Sequence, residues 1–67
     1  MIKLILNGKE TLVASDNLFD LVVNEKKLAP EHVVAELNTT IIKREKWRET
    51  PLKDGDRLEL VSFVGGG

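Results

Sequence analysis

Asn7-Gly8 stands between two short runs, Ile2–Leu6 and Lys9–Val13, in which apolar and polar side chains largely alternate. A type I′ turn needs positive φ at both central residues, and Asn-Gly meets that need with little steric cost. The sequence therefore predicts an opening β-hairpin. Its first strand puts Ile2, Leu4 and Leu6 on one face and Ile5 on the other.

Ala14-Ser15-Asp16-Asn17 then offers several helix N-caps, and Asn17 with Asp20 three residues later approximates a capping box. Leu18, Leu21 and Val22 share one helical stripe, widened by Phe19 and Val23, while Asp20, Asn24, Glu25 and Lys26 fall opposite. The pattern predicts one amphipathic helix of about three turns. Acidic Asp16 and Asp20 near its start and Lys26-Lys27 near its end suit the helix dipole, and Pro30 stops it.

Val33–Leu37 reads as a third strand, Asn38-Thr39-Thr40 as a turn and Ile41-Ile42 as a short fourth strand. Lys43-Arg44-Glu45-Lys46-Trp47 reads as a single helical turn in a long connection, with Trp47 as a lid on the core. Asp54-Gly55-Asp56 is a turn, and residues 57–64 make the final and longest strand. One helix covers one face of a small mixed sheet, so the expected class is α+β with the other face partly open to water.

If Leu58 and Leu60 point at the helix, the two-residue period sends Arg57, Glu59, Val61 and Phe63 to the far face. With the first and last strands as neighbours, Ile5, Val61 and Phe63 are expected to form one exposed apolar patch. Such a patch beside the end of the chain is a candidate partner-binding surface.

Gly65-Gly66-Gly67 ends the sequence. Three glycines contribute nothing evident to folding and are expected to form a flexible tail, 65–67, after a domain of residues 1–64. Extended, they span roughly 10 Å at ~3.3 Å per residue and offer no side chain to the walls of a tunnel. Two readings stand on these residues alone: Gly67 reacts through its carboxylate in another protein's active site, or the glycines are an inert linker.

Composition narrows the chemistry. Sixty-seven residues make one domain, near the lower size limit for folding without metals or disulfides. With no cysteine there is no thiol nucleophile and no thiolate metal site. Ten Lys and Arg against eleven Asp and Glu, interspersed, argue against nucleic acid and membrane surfaces as partners. The apolar opening breaks at Asn7, short of a signal peptide or a membrane span, so a cytoplasmic location is expected.

His32 is read as a solvated loop residue, Ser15 as a helix cap, and Asp54 and Asp56 as turn formers. No glycine-rich loop precedes a helix to cradle a nucleotide. No bound cofactor is expected, and any ATP used binds elsewhere.

The hairpin through Asn7, the helix led by Asn17-Leu18, the Arg44-Glu45-Lys46-Trp47 stretch, the Asp54-Gly55-Asp56 turn and the terminal Gly66-Gly67 together carry a family resemblance. Over essentially its whole length the chain resembles the sulfur-carrier proteins of thiamine biosynthesis, small ubiquitin-like β-grasp proteins. The resemblance implies that a ubiquitin-activating-like adenylyltransferase uses ATP to convert the Gly67 carboxylate into an acyl-adenylate. Sulfur from a cysteine-derived persulfide then displaces AMP, and the resulting thiocarboxylate serves thiazole synthase. On that view the protein is a co-substrate and not an enzyme, with Gly66 and Gly67 as its reacting end and Gly65, Phe63, Val61 and Ile5 meeting partners. Gly65 departs from the family pattern, which more often has another small or apolar residue before the diglycine.

Three alternatives accompany this expectation. The carrier of molybdopterin synthesis is also a β-grasp protein with a reacting diglycine end, though its chains tend to be longer. A ubiquitin-like modifier would join Gly67 to lysines. A β-grasp interaction module would leave the glycines inert and keep its function when they are deleted.

Overall fold

The computed structural model describes residues 1–63. They form β1 (Ile2–Leu6), β2 (Lys9–Val13), a π-helix (Asp20–Glu25), a 3₁₀ turn (Pro30–His32), β3 (Val33–Leu37), β4 (Thr40–Ile42), a 3₁₀ helix (Arg44–Glu49) and β5 (Arg57–Ser62). The five strands make one sheet in the order β2-β1-β5-β3-β4. β1 and β5 run parallel, and the other three pairings are antiparallel. The mixed sheet and the adjacency of first and last strands follow the expectation.

Both hairpins turn on two residues of positive φ. Asn7 and Gly8 lie at 49° and 84°, as an Asn-Gly type I′ turn requires. Asn38 and Thr39 lie at 49° and 72°, so a β-branched threonine occupies a conformation that crowds its side chain against its own backbone. Leu37 faces Thr40 across this second turn, which makes β4 one residue longer than Ile41-Ile42.

One face of the sheet carries the core. Leu4, Val13, Val33, Ala35 and Leu58 from the strands are buried against Leu18, Leu21, Val22, Trp47 and Leu52. Each fully buried Leu or Val removes apolar surface worth about 1.5–3 kcal/mol, which sustains a domain of this size without disulfide or metal. Trp47 is 2% exposed and its Nε1 donates to the Ile42 carbonyl at 2.9 Å. That satisfies the one polar atom of the ring and fits the lid expectation.

The helix departs from expectation. Asn17 does cap it: the Asp20 N–H donates to Asn17 Oδ1 at 2.9 Å, and Asn17 Nδ2 donates to Asp20 Oδ2 at 3.0 Å. The segment is shorter than three turns and wound wider than an α-helix, because the Lys26 N–H reaches the Leu21 carbonyl, five residues back, at 2.8 Å. Lys27 at φ 59° reverses the chain ahead of Pro30, and the Leu28 N–H then bonds to the Val22 carbonyl. A left-handed residue at this place ends the helix earlier than the proline would.

Ser15 is not a helix cap. Its hydroxyl donates to Glu25 Oε1 at 2.7 Å, since the chain leaving β2 passes the far end of the helix and meets that carboxylate first.

Candidate functional site

Everything that the described residues contribute to the expected reacting end is organised by β5, the middle strand. Its entry is fixed by the Asp54-Gly55-Asp56 turn. The Lys3 N–H donates to Asp54 Oδ1 at 2.8 Å, and the Gly55 N–H to the Lys3 carbonyl at 2.8 Å. Asp56 is buried and accepts the Lys53 N–H and Asn38 Nδ2 at 2.8 and 3.0 Å. These carboxylates serve as acceptors for the turn, as their sequence context suggests.

Along β5, two asparagines of positive φ act on the strand's backbone from opposite sides. The Asn38 N–H donates to the Arg57 carbonyl, and the Arg57 N–H donates to Asn38 Oδ1, at 2.8 and 2.9 Å. On the β1 side, the Leu60 N–H donates to Asn7 Oδ1 at 2.8 Å, and Asn7 Nδ2 donates to the Leu60 carbonyl at 3.2 Å. At the strand's exit, the Phe63 N–H donates to the His32 carbonyl at 2.9 Å, and the two rings pack with centroids 6.1 Å apart, tilted by 52°. His32 is exposed, as its sequence context suggests, and in addition meets Phe63 through its backbone and its ring.

The open face of the sheet carries the exposed apolar side chains. Val61 is 59% exposed and pairs across the strands with Val34, 41% exposed; Ile41 is exposed on β4. Phe63 is 48% exposed. Ile5 does not join them. It is half-buried and lies in register with Arg57, four residues before Val61, or ~13 Å along the strand at ~3.3 Å per residue. The single Ile5–Val61–Phe63 patch is thus corrected to one around Val61 and Val34. The parallel register decides it, since β1 has turned away before β5 reaches Val61.

Directly beside that apolar pair, Glu36 and Glu59 face each other across β3 and β5. Like charges so placed cost a fraction of a kcal/mol. The one ion pair among the described residues, Lys3 with Glu10 at 3.9 Å, lies elsewhere on β1 and β2.

Sequence reasoning missed Val34 and the side-chain roles of Asn7 and Asn38. Val34 was accessible from alternation within β3, since Val33 and Ala35 point inward. The asparagine bonds to β5 were not, because they depend on which strands become neighbours.

Among the described residues no group of three or more His, Cys, Asp or Glu is placed to hold a metal ion, and no helix is long and apolar enough to cross a membrane. Gly65, Gly66 and Gly67, and the boundary between a 1–64 domain and a 65–67 tail, lie outside the described residues.

The ThiS family model matches residues 4–67. The sulfur carrier protein ThiS of Bacillus subtilis is 39% identical over 64 residues, covering 92% of this chain and 96% of its own length. A thiazole synthase of Paramagnetospirillum magneticum is 31% identical over 65 residues; the match takes in 97% of this chain but only 20% of that protein. The crystal structure of the thiamine biosynthesis protein ThiS from Geobacter metallireducens superposes with a TM-score of 0.80 at 36% identity, covering 98% of this chain and 100% of that one.

Proposed function

The chain belongs to the ThiS family, and from that premise we propose that it is a sulfur carrier of thiamine biosynthesis whose reacting group is the Gly67 carboxylate. The observation that carries this reading is a family match running through Gly66 and Gly67, on a fold with no cysteine to hold sulfur. A protein without a thiol must carry sulfur on another atom, and a terminal carboxylate becomes a thiocarboxylate once it is activated. The carrier is a co-substrate and not an enzyme.

An adenylyltransferase transfers AMP from ATP to the Gly67 carboxylate with loss of pyrophosphate. The terminal sulfur of a persulfide displaces AMP to give an acyl disulfide, a thiol of the donor or of the activating enzyme cleaves its S–S bond and departs in a disulfide, and the freed thiocarboxylate gives its sulfur to thiazole synthase. The chain's likeness to part of a thiazole synthase supports the last partner. Phe63 and Val61 contact the activating enzyme next to the reacting end, with Gly65 and Gly66 threading toward its active site; Ile5 lies outside this contact. The reactions take place in the cytoplasm. ATP is bound by the partner, since no phosphate cradle precedes a helix in this sequence. The relatives named for thiamine biosynthesis favour this branch over molybdopterin synthesis.

The test is incubation with the adenylyltransferase, ATP, a persulfide donor and a thiol reductant, followed by mass spectrometry of the intact chain. Replacement of one Gly67 oxygen by sulfur is expected. An unchanged mass under conditions that thiolate a known carrier overturns the reading.

A further inference from the structure

The hairpin turn takes β1 away from β5 at Asn7, so the last backbone pair between them is Leu6 with Leu58. Leu60 is nonetheless held on that side by Asn7 Oδ1 and Nδ2. A primary amide presents a carbonyl and an N–H donor, the same pair that a peptide group presents. The Asn7 side chain thus replaces the strand residue that β1 lacks, and it does so from a conformation, φ 49°, that the hairpin already requires.

On its other side β5 stays paired with β3 as far as Val33 and Ser62, and His32 takes the Phe63 N–H. The strand is therefore gripped from both sides up to Leu60 and from one side after it. A segment gripped from one side opens and pivots more easily than one gripped from both. Asn7 sets where that change occurs, and beyond it Ser62 and Phe63 are held by β3 and His32 alone.

We propose that Asn7 is a positioning residue for the reaction at Gly67. By bonding both backbone groups of Leu60 it holds the root of the reacting end in line with the docked body of the carrier. This rests on the reading of Gly67 as the reacting residue. A reacting group presented off-line loses rate even when binding is intact, because the chemistry depends on orientation at the level of an ångström.

Asn7→Gly tests it, since glycine keeps the positive φ of the turn while deleting the amide. In the isolated variant, hydrogen exchange at the Leu60 N–H is expected to speed by about tenfold or more. With the adenylyltransferase, kcat/KM for thiocarboxylate formation is expected to fall roughly tenfold, while the Kd for the enzyme stays at its wild-type value. Unchanged Leu60 exchange, an unchanged rate, or a loss of affinity equal to the loss of rate overturns the proposal. Asn7→Asp keeps the acceptor for the Leu60 N–H and loses the donor to its carbonyl, so its rate is expected between the other two. The aspartate variant carries the test if circular dichroism shows the glycine variant unfolded, and a wild-type rate in it then overturns the proposal. Failure of the wild-type chain itself to gain sulfur refutes the functional reading, whereas a thiolated wild type with an equally fast variant refutes the role of Asn7.

Discussion

The Ser15 hydroxyl and the backbone N–H groups of Ala14 and Ser15 all donate to the carboxylate of Glu25, with the hydroxyl at 2.7 Å from Oε1. One side chain at the end of the helix thus anchors the chain where it leaves β2. Burial raises the Glu25 pKa, but the Ser15 hydroxyl, the two amides and nearby Lys26 outweigh it and leave the value below 4.5. A depressed carboxyl contributes stability that is present above its unfolded value and is lost as the pH falls through its folded one. Glu25→Gln is expected to destabilise the protein by about 1–2 kcal/mol at neutral pH. The gap should close as the pH drops below 4.5. Urea denaturation across that range checks both the size and the sign.

Thr39→Gly is expected to stabilise the second hairpin. Relief of a β-branched residue at φ 72° is worth on the order of 1–2 kcal/mol, and glycine's extra freedom in the unfolded chain takes back about 0.5–1. The net gain should raise Tm by a few degrees in a domain of this size, about 4–8 °C for each kcal/mol. Scanning calorimetry reads it directly.

Trp47 joins two separable contributions, ring burial and the Nε1 bond to Ile42. Trp47→Ala is expected to cost about 3–5 kcal/mol, comparable to the whole stability of a small domain, and to leave the chain largely unfolded. Trp47→Phe keeps most of the packing and leaves the Ile42 carbonyl without its donor, at a cost of about 1–3 kcal/mol. Circular dichroism melts of the two variants separate the contributions.

Val61→Lys is expected to leave stability within about 0.5 kcal/mol, because the side chain it replaces faces water. Its effect on binding to the adenylyltransferase should exceed about 1 kcal/mol if Val61 lies at the contact. Ile5→Lys serves as the contrast, since Ile5 is remote from Val61 along the sheet. Titration calorimetry with each variant measures the difference. Equal losses for the two would place the contact elsewhere.

The elements that local chemistry dictates were legible in the residues. Asn7-Gly8 announced the first hairpin, Asn17 and Asp20 the helix start, and Asp54-Gly55-Asp56 the turn into β5. Alternation in β5 placed Leu58 inside and Val61 outside. What escaped was set by distant partners. The helix shortened because Lys27 adopts a left-handed conformation that no glycine or asparagine advertised. Ser15 found the Glu25 side chain instead of capping the helix start, and Ile5 was separated from Val61 by a parallel register that no single strand encodes. At the candidate site, the exposure of Val61 and Phe63 was read correctly and that of Val34 was open to the same alternation, while the asparagines that hold β5 required the strand order.

β5 lies between the two hairpins in space, yet a ribosome makes both before it. Neither hairpin is stable in water by itself, and they do not pair with each other except through residues 57–62. A nascent chain therefore gains no five-stranded sheet until β5 has emerged, and a chain cut short before it lacks the strand that joins its two hairpins.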